Sequence, residues 1–287
     1  MAGAGLVAIK RRIKSVNNTK KITKAVSLVA TSKLRRAKQN LDINNDYYNN
    51  LNKIMSRVLE DREGEDNIYI NGNGSDKKIY IALTSDSGLC GGFNVGVVQK
   101  TVEAILKDKD NSSLIIVGEK GRTYFKKIGY DSLAEYVEIP DAPTIKEAKI
   151  IIDKAFNLYK NKEIGEMNVV YTKFISSVKQ EVVIRKILPF KGTLPNDKES
   201  HDTYIEYEPE GDKFLNNISN IFLMQTMLNI MLNSKVSEQS SRMTAMDGAT
   251  KNADDILEKL NLKYNRIRQS AITQEISEIV GGAEAQK

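Results

Sequence analysis

The 287-residue sequence predicts an α/β protein: a long antiparallel coiled coil of N- and C-terminal helices plus one α/β domain between them. Three observations predict it. All five prolines, Pro140, Pro143, Pro189, Pro195 and Pro209, fall in the middle of the chain, which leaves both ends open to long helices. Both ends carry apolar residues at alternating steps of three and four, the spacing of a heptad seam. Between them, β-branched runs alternate with helical spacing, as in a mostly parallel sheet with right-handed crossovers.

The first helix is expected over residues 1–60. Its seam runs Ala30, Leu34, Ala37, Leu41, Asn44, Tyr48, Leu51, Met55, Val58. Upstream the same register passes through Ile9, Ile13 and Val16, then through Lys20, Thr23 and Ser27, while Ile22, Val26 and Val29 form a parallel stripe one position earlier. The seam is therefore expected to drift there. Residues 1–40 hold eleven Lys/Arg and no Asp/Glu, so the net charge of +6 belongs to this helix and the remainder is net acidic. Lys10, Arg11, Arg12 and Lys14 break the apolar run that a secretory signal would need.

The α/β domain is expected over residues 75–205. Lys78 to Thr84 (KIYIALT) reads as a strand, SDSGLCGGFN as a turn, and Val95 to Leu106 as a helix. Leu114 to Val117 is a second strand, Gly118 and Gly121 its turn, and Arg122 to Lys127 a second helix. After the Pro140/Pro143 loop come a helix over Ile145 to Tyr159 and two strands, Val169 to Ile175 and Glu181 to Ile187, closed as an antiparallel hairpin. NGNGSDKK and the Pro195 to Pro209 stretch read as hinges.

The last helix is expected over residues 212–282. Its face runs Val236, Gln239, Met243, Met246, Thr250, Ala253, Leu257, Leu260, Tyr264, Ile267, Ala271, and Gly248 is its one glycine before Gly281 and Gly282. At 1.5 Å per residue it would be about 100 Å long, more than a compact domain can cover. Its charges rule out a membrane span, and no 20 to 50 residue repeat suggests a solenoid. Packing against the first helix remains.

Little here suggests chemistry. Cys90 is the only cysteine and His201 the only histidine, which excludes disulfide frameworks and Cys/His zinc sites and suits a reducing compartment. Gly88, Gly91 and Gly92 spell G-x-x-G-G, which matches neither a dinucleotide fingerprint nor a phosphate loop; a tight strand-to-helix turn explains them. Asp86 reads as a turn or cap residue, with a metal or sugar contact as the sharper alternative, and Cys90 as a small buried filler. Three function classes stand at this point. A nucleic-acid binder would use the basic helix, but no docking module accompanies it. An enzyme lacks an acid/base pair, triad or phosphate loop. A mechanical or scaffolding protein, with a rigid coiled coil bridging partners, fits the thin, charged seam.

Three long segments then become recognisable. IKRRIKSVNNTKKITKAVSLVATSKLRRAK (Ile9 to Lys38), SDSGLCGGFN (Ser85 to Asn94) and SSRMTAMDGATKNADDILEKLNLKYNRIRQSAITQEISEIVGGA (Ser240 to Ala283) resemble, in the same order, the γ subunits of F-type bacterial ATP synthases. The resemblance implies a central-stalk rotor. In that family a coiled-coil shaft sits inside a hexamer of α and β subunits, and a Rossmann-like domain that binds no nucleotide sits at the foot with the ε subunit and the membrane c ring. It implies a non-catalytic subunit with no cofactor, no metal and no nucleic-acid partner, held peripherally at the cytoplasmic face of the cell membrane through its complex, which couples ion transport to ATP synthesis or hydrolysis.

The resemblance also implies the contact residues. Arg268 and Gln269 match the segment gripped by β-subunit loops, with Arg242, Thr273 and Glu275 in neighbouring pattern; an arginine fork there can pair bidentately with a carboxylate. Lys20, Lys21, Lys24 and Arg35 would face acidic segments of β, attracted at long range without interlocking. Members of that family often carry methionine where Val26 stands and alanine at Thr31. Chloroplast members carry a regulatory cysteine pair, and with Cys90 alone no thiol switch is expected.

Overall fold

The computed structural model describes residues 2–62, 67–190, 208 and 212–284. Its elements in chain order are α1 (Ala2–Asp61), α2 (Ile68–Asn71), β1 (Lys78–Leu83), α3 (Phe93–Leu106), β2 (Ser112–Val117), α4 (Glu119–Lys127), β3 (Ala134–Tyr136), α5 (Ile145–Lys160), β4 (Glu166–Phe174), β5 (Gln180–Leu188) and α6 (Asp212–Glu284). Spatially the chain forms two compact units. One holds the chain up to Ala30 together with the chain from Met243; the other runs from Thr31 to Arg242. This division differs from the helix–domain–helix boundaries of the sequence, because the second half of α1 and the first half of α6 share a core with the sheet.

That sheet has strand order β3-β2-β1-β4-β5. β1 to β4 are parallel and β5 returns antiparallel to β4, the mixed sheet the sequence predicts. Strand side chains alternate between two cores. Ile79, Ile81 and Leu83 of β1 and Ile115 and Val117 of β2 face α5 (Ile151, Ile152, Phe156, Tyr159), Leu51 and Met55 of α1, and Phe222, Leu223 and Met227 of α6. Tyr80, Ala82, Leu114 and Ile116 face Val97, Val98 and Ile105 of α3 and Phe125 of α4. Each fully buried aliphatic side chain contributes roughly 1.5–3 kcal/mol, so the α1 and α6 segments are held here mainly by apolar burial. α5 begins with a capping box, Thr144 and Glu147 satisfying each other's backbone N–H groups.

Two elements escape the sequence reading. β3 is three residues long and α2 four, too short for periodicity to register. The segment 71–78, expected as a hinge, is pinned: Asn73 Nδ2 donates to the carbonyls of Tyr159 and Ile164, both at 2.7 Å, and a Cβ on Gly165 would lie 1.7 Å from the Ser75 carbonyl oxygen. The other expected hinge, Pro195 to Pro209, lies outside the described residues apart from Glu208.

In the unit that joins the start of α1 to the end of α6, the helices run antiparallel. Lys20 pairs with Asp254, Thr23 Oγ1 lies 2.8 Å from Thr250 Oγ1, and Ser27 Oγ donates to Asp247 Oδ1 at 2.5 Å. The expected drift does not occur. Thr23 and Ser27 are buried while Ile22 and Val29 are 61% and 56% exposed, so the original register continues with polar rungs. Each polar side chain has a partner across or along the seam, which removes the desolvation cost that would have forced a shift. On α6 the expected face is the buried one, with Met246, Ala253, Leu257, Leu260 and Ala271 turned inward.

Candidate functional site

In an open α/β sheet, ligands bind outside the carboxyl ends of the strands where the strand order reverses, here between β1 and β4. Both ends are taken by α6. Arg242 Nη2 donates to the Ser87 carbonyl at 3.1 Å and to Ser87 Oγ at 2.8 Å, and its Nε donates to the Gly88 carbonyl at 3.2 Å, covering the turn after β1. Ser240 Oγ donates to the Ser177 carbonyl at 2.9 Å and Ser241 Oγ to Gln180 Oε1 at 3.2 Å, covering the turn between β4 and β5. Glu238 holds the guanidinium from the side, 2.9 Å away, and pairs with Lys235 at 3.4 Å. All three charged side chains are nearly buried, so each depends on the others for compensation.

The G-x-x-G-G glycines are not held by close packing: a Cβ on Gly88 would meet only the Lys120 side chain at 3.5 Å and one on Gly92 nothing within 4 Å, while Gly91 takes a φ of +56°. The tight contacts lie at the next strand-to-helix turn. Thr84 Oγ1 donates to the Val117 carbonyl at 2.7 Å and accepts from Gly121 N–H at 2.9 Å. A Cβ on Gly118, whose φ is +99°, would lie 2.4 Å from the Thr84 carbonyl oxygen, and one on Gly121 would lie 2.5 Å from Thr84 Oγ1. Asp86 is the turn and cap residue the sequence suggests: its Oδ1 accepts from the N–H groups of Glu119 and Glu138 and its Oδ2 from Ile139, all at 3.0 Å. Cys90 is buried and accepts from Asn94 Nδ2 at 3.2 Å. Among the described residues no three His, Cys, Asp or Glu side chains group as a metal site. No helix described is long and apolar enough to cross a membrane.

Of the contact residues implied by resemblance, Lys21, Lys24, Arg268, Gln269, Thr273 and Glu275 are exposed on the unit formed by the start of α1 and the end of α6, and Arg35 is exposed on the other unit. Thr273 Oγ1 donates to the Gln269 backbone carbonyl at 3.0 Å, a contact within the helix. Lys20 is drawn toward Asp254 and only partly exposed. Arg242 differs from the rest. It is 7% exposed and spends its donors inside its own unit, so any part it has in partner contact is indirect. The sequence reading missed its partners Glu238, Lys235 and Ser87; the spacing Lys235, Glu238, Arg242 on one helical face was the available signal.

The family model for ATP synthase matches residues 5–286 of the chain. The ATP synthase gamma chain of Clostridium novyi is 63% identical over 287 residues, covering 100% of both chains, and that of Clostridium pasteurianum is 55% identical over 99% of both. The chain belongs to the ATP synthase γ-chain family. Its fold matches a chain of the Euglena gracilis mitochondrial ATP synthase OSCP/F1/c-ring structure, with a TM-score of 0.72 at 16% identity over 99% of this chain and 95% of that one. A chain of the Tetrahymena thermophila mitochondrial ATP synthase central stalk/c-ring structure matches with a TM-score of 0.62 at 22% identity over 79% and 99%.

Proposed function

We propose that the chain is the central-stalk rotor of an F-type ATP synthase, carrying rotation of a membrane c ring to a hexamer of α and β subunits without doing chemistry itself. The observation that carries this reading is the full-length match to γ chains at 63% identity. The geometry supports a mechanical role: within each unit a stretch of the 60-residue α1 lies antiparallel to a stretch of the 73-residue α6, and side chains of α6 cover the turns at the crevice a nucleotide would need. The α and β subunits, the ε subunit and the c ring are its partners, and its place is the cytoplasmic face of the cell membrane, bound through the complex.

In this reading Arg268, Gln269, Thr273 and Glu275 meet loops of the β subunits, and Lys21, Lys24 and Arg35 meet acidic surface. Exposed charges of this kind steer and attract over several ångströms but lock weakly, which suits a surface that must pass three catalytic sites in turn. Lys20 and Arg242 hold the rotor's own shape. Pull-down from native membranes tests the reading: α, β, ε and c subunits should co-purify, and their absence would overturn it.

A further inference from the structure

Two loops at the carboxyl end of the sheet touch the long helices within the unit from Thr31 to Arg242. The turn after β1 is held by Arg242 of α6 through Ser87 and Gly88. The loop after β3 is held twice, by Lys235 of α6, whose Nζ lies 3.4 Å from the Ile139 carbonyl, and by Lys33 of α1, 2.7 Å from Asp141. One side chain ties these loops to each other. The carboxylate of Asp86, on the first loop, accepts the N–H groups of Glu138 and Ile139 on the second, and also the first N–H of α4 at Glu119. Glu138 adopts a φ of +60°, a conformation that a non-glycine residue keeps only when its surroundings enforce it.

We infer that Asp86 is a positioning residue for torque transfer: it makes the two loops one rigid body, and through that body the α/β sheet grips α6 and α1. Three charge-assisted bonds to one carboxylate are strong and directional, whereas the sheet-to-helix contact elsewhere is mainly apolar and non-directional. Apolar packing resists separation but allows sliding. A twist applied to the sheet would therefore reach the helices through its polar holds: Arg242, Lys235 and Lys33 at these two loops, Ser240 and Ser241 at the turn between β4 and β5, and Arg185 on Tyr48 of α1. The three at the loops act together only while Asp86 joins the loops they hold. Asp141 fits this picture, since the Lys33 ammonium hydrogen-bonded to it, with Lys235 and Arg242 near, holds its carboxyl below the usual carboxylate range despite partial burial.

The inference rests on the rotor reading. Its test is the coupling ratio, ions pumped per ATP hydrolysed, in vesicles carrying the complete complex with wild-type chain or with Asp86→Asn. Asparagine keeps the shape but turns an amide donor toward backbone donors. Assembly and hydrolysis are expected to persist while the coupling ratio falls by about half or more. An unchanged ratio overturns the inference, including the case in which pumping and hydrolysis fall together in the same proportion. Should Asp86→Asn not assemble, Lys33→Ala breaks one exposed grip of the same body: it is expected to lower the ratio, with Lys33→Arg restoring it, and a Lys33→Ala complex equal to wild type overturns the inference. A wild-type complex that neither hydrolyses ATP nor pumps would instead overturn the rotor reading.

Discussion

Arg242 and Glu238 form a nearly buried ion pair one helical turn apart, 2.9 Å between Nη2 and Oε1; the same Nη2 also donates to Ser87, and Nε donates to the Gly88 carbonyl. The pair joins the last helix to the turn after the first strand. Lys235 completes the charge balance from the other side of Glu238.

Removing the arginine should therefore be costly. Arg242→Ala takes the nearest cation from the buried Glu238 carboxylate, leaving it Lys235 and the Gln239 amide, and takes a donor from the Gly88 and Ser87 carbonyls, and is expected to destabilise the chain by about 3 kcal/mol. Replacing Lys235, Glu238 and Arg242 together with hydrophobic residues of similar volume should cost much less, since no buried charge is then left without its partner. Urea unfolding of the single and triple variants checks both.

Gly118 tolerates no side chain. Its φ of +99° disfavours an L-residue and a Cβ would meet the Thr84 carbonyl oxygen at 2.4 Å, so Gly118→Ala is expected to cost at least about 3 kcal/mol by urea unfolding. Gly248, with nothing within 4 Å, should accept alanine and gain up to about 1 kcal/mol from helix propensity.

The polar rungs of the shaft seam should be cheap to replace. Thr23 Oγ1 also bonds to the Lys20 carbonyl at 3.0 Å and Thr250 Oγ1 to the Met246 carbonyl at 2.8 Å, so neither hydroxyl is stranded when the other goes. Thr23→Val is expected to change stability by less than about 1 kcal/mol, in contrast with Ser27→Val, which takes a cross-helix donor from Asp247. Thermal melts of the two variants separate these cases.

Asp141 gives a pH dependence with a defined sign. Its carboxyl is held below the usual range chiefly by its hydrogen bond to Lys33, so the folded state favours the ionised form. The stabilisation is present above the ordinary carboxylate pKa and is lost as pH falls through the depressed folded value. Exposure of both side chains keeps it small. Asp141→Asn should lower the urea midpoint slightly at pH 7 and leave it unchanged once the acid is titrated.

Arg268 and Gln269 are exposed and lie at the surface of α6, so Arg268→Ala and Gln269→Leu should leave the melting temperature within about 2 °C of wild type, as for other surface changes. Coupled ATP synthesis should nonetheless fall, because in the rotor reading these two side chains act between subunits. A parallel loss of stability and synthesis would assign these residues a structural role.

Much of the fold was legible because its signals are long. The heptad stripes set the inner faces of α1 and α6, and β-branched runs placed the four longer strands. β3 and α2 were illegible because three or four residues carry no period. At Lys20, Thr23 and Ser27 apolar spacing misled: cross-helix hydrogen bonds keep polar residues in the seam and leave Ile22 and Val29 outside. The proposed contact residues rest on resemblance alone, since an outward lysine has no signature that separates a bearing surface from a solvated face. That Arg242 turns inward was illegible, because a sequence cannot say which way a charged residue turns when its partners, Ser87 and Gly88, lie more than 150 positions away.

The most direct test of the rotor reading is reconstitution of ATP hydrolysis from purified subunits. The chain alone should show no ATP turnover, and adding it to α and β subunits should restore sustained hydrolysis that those subunits lack without it. Turnover by the chain alone, or hydrolysis by α and β that is indifferent to its presence, would contradict the account.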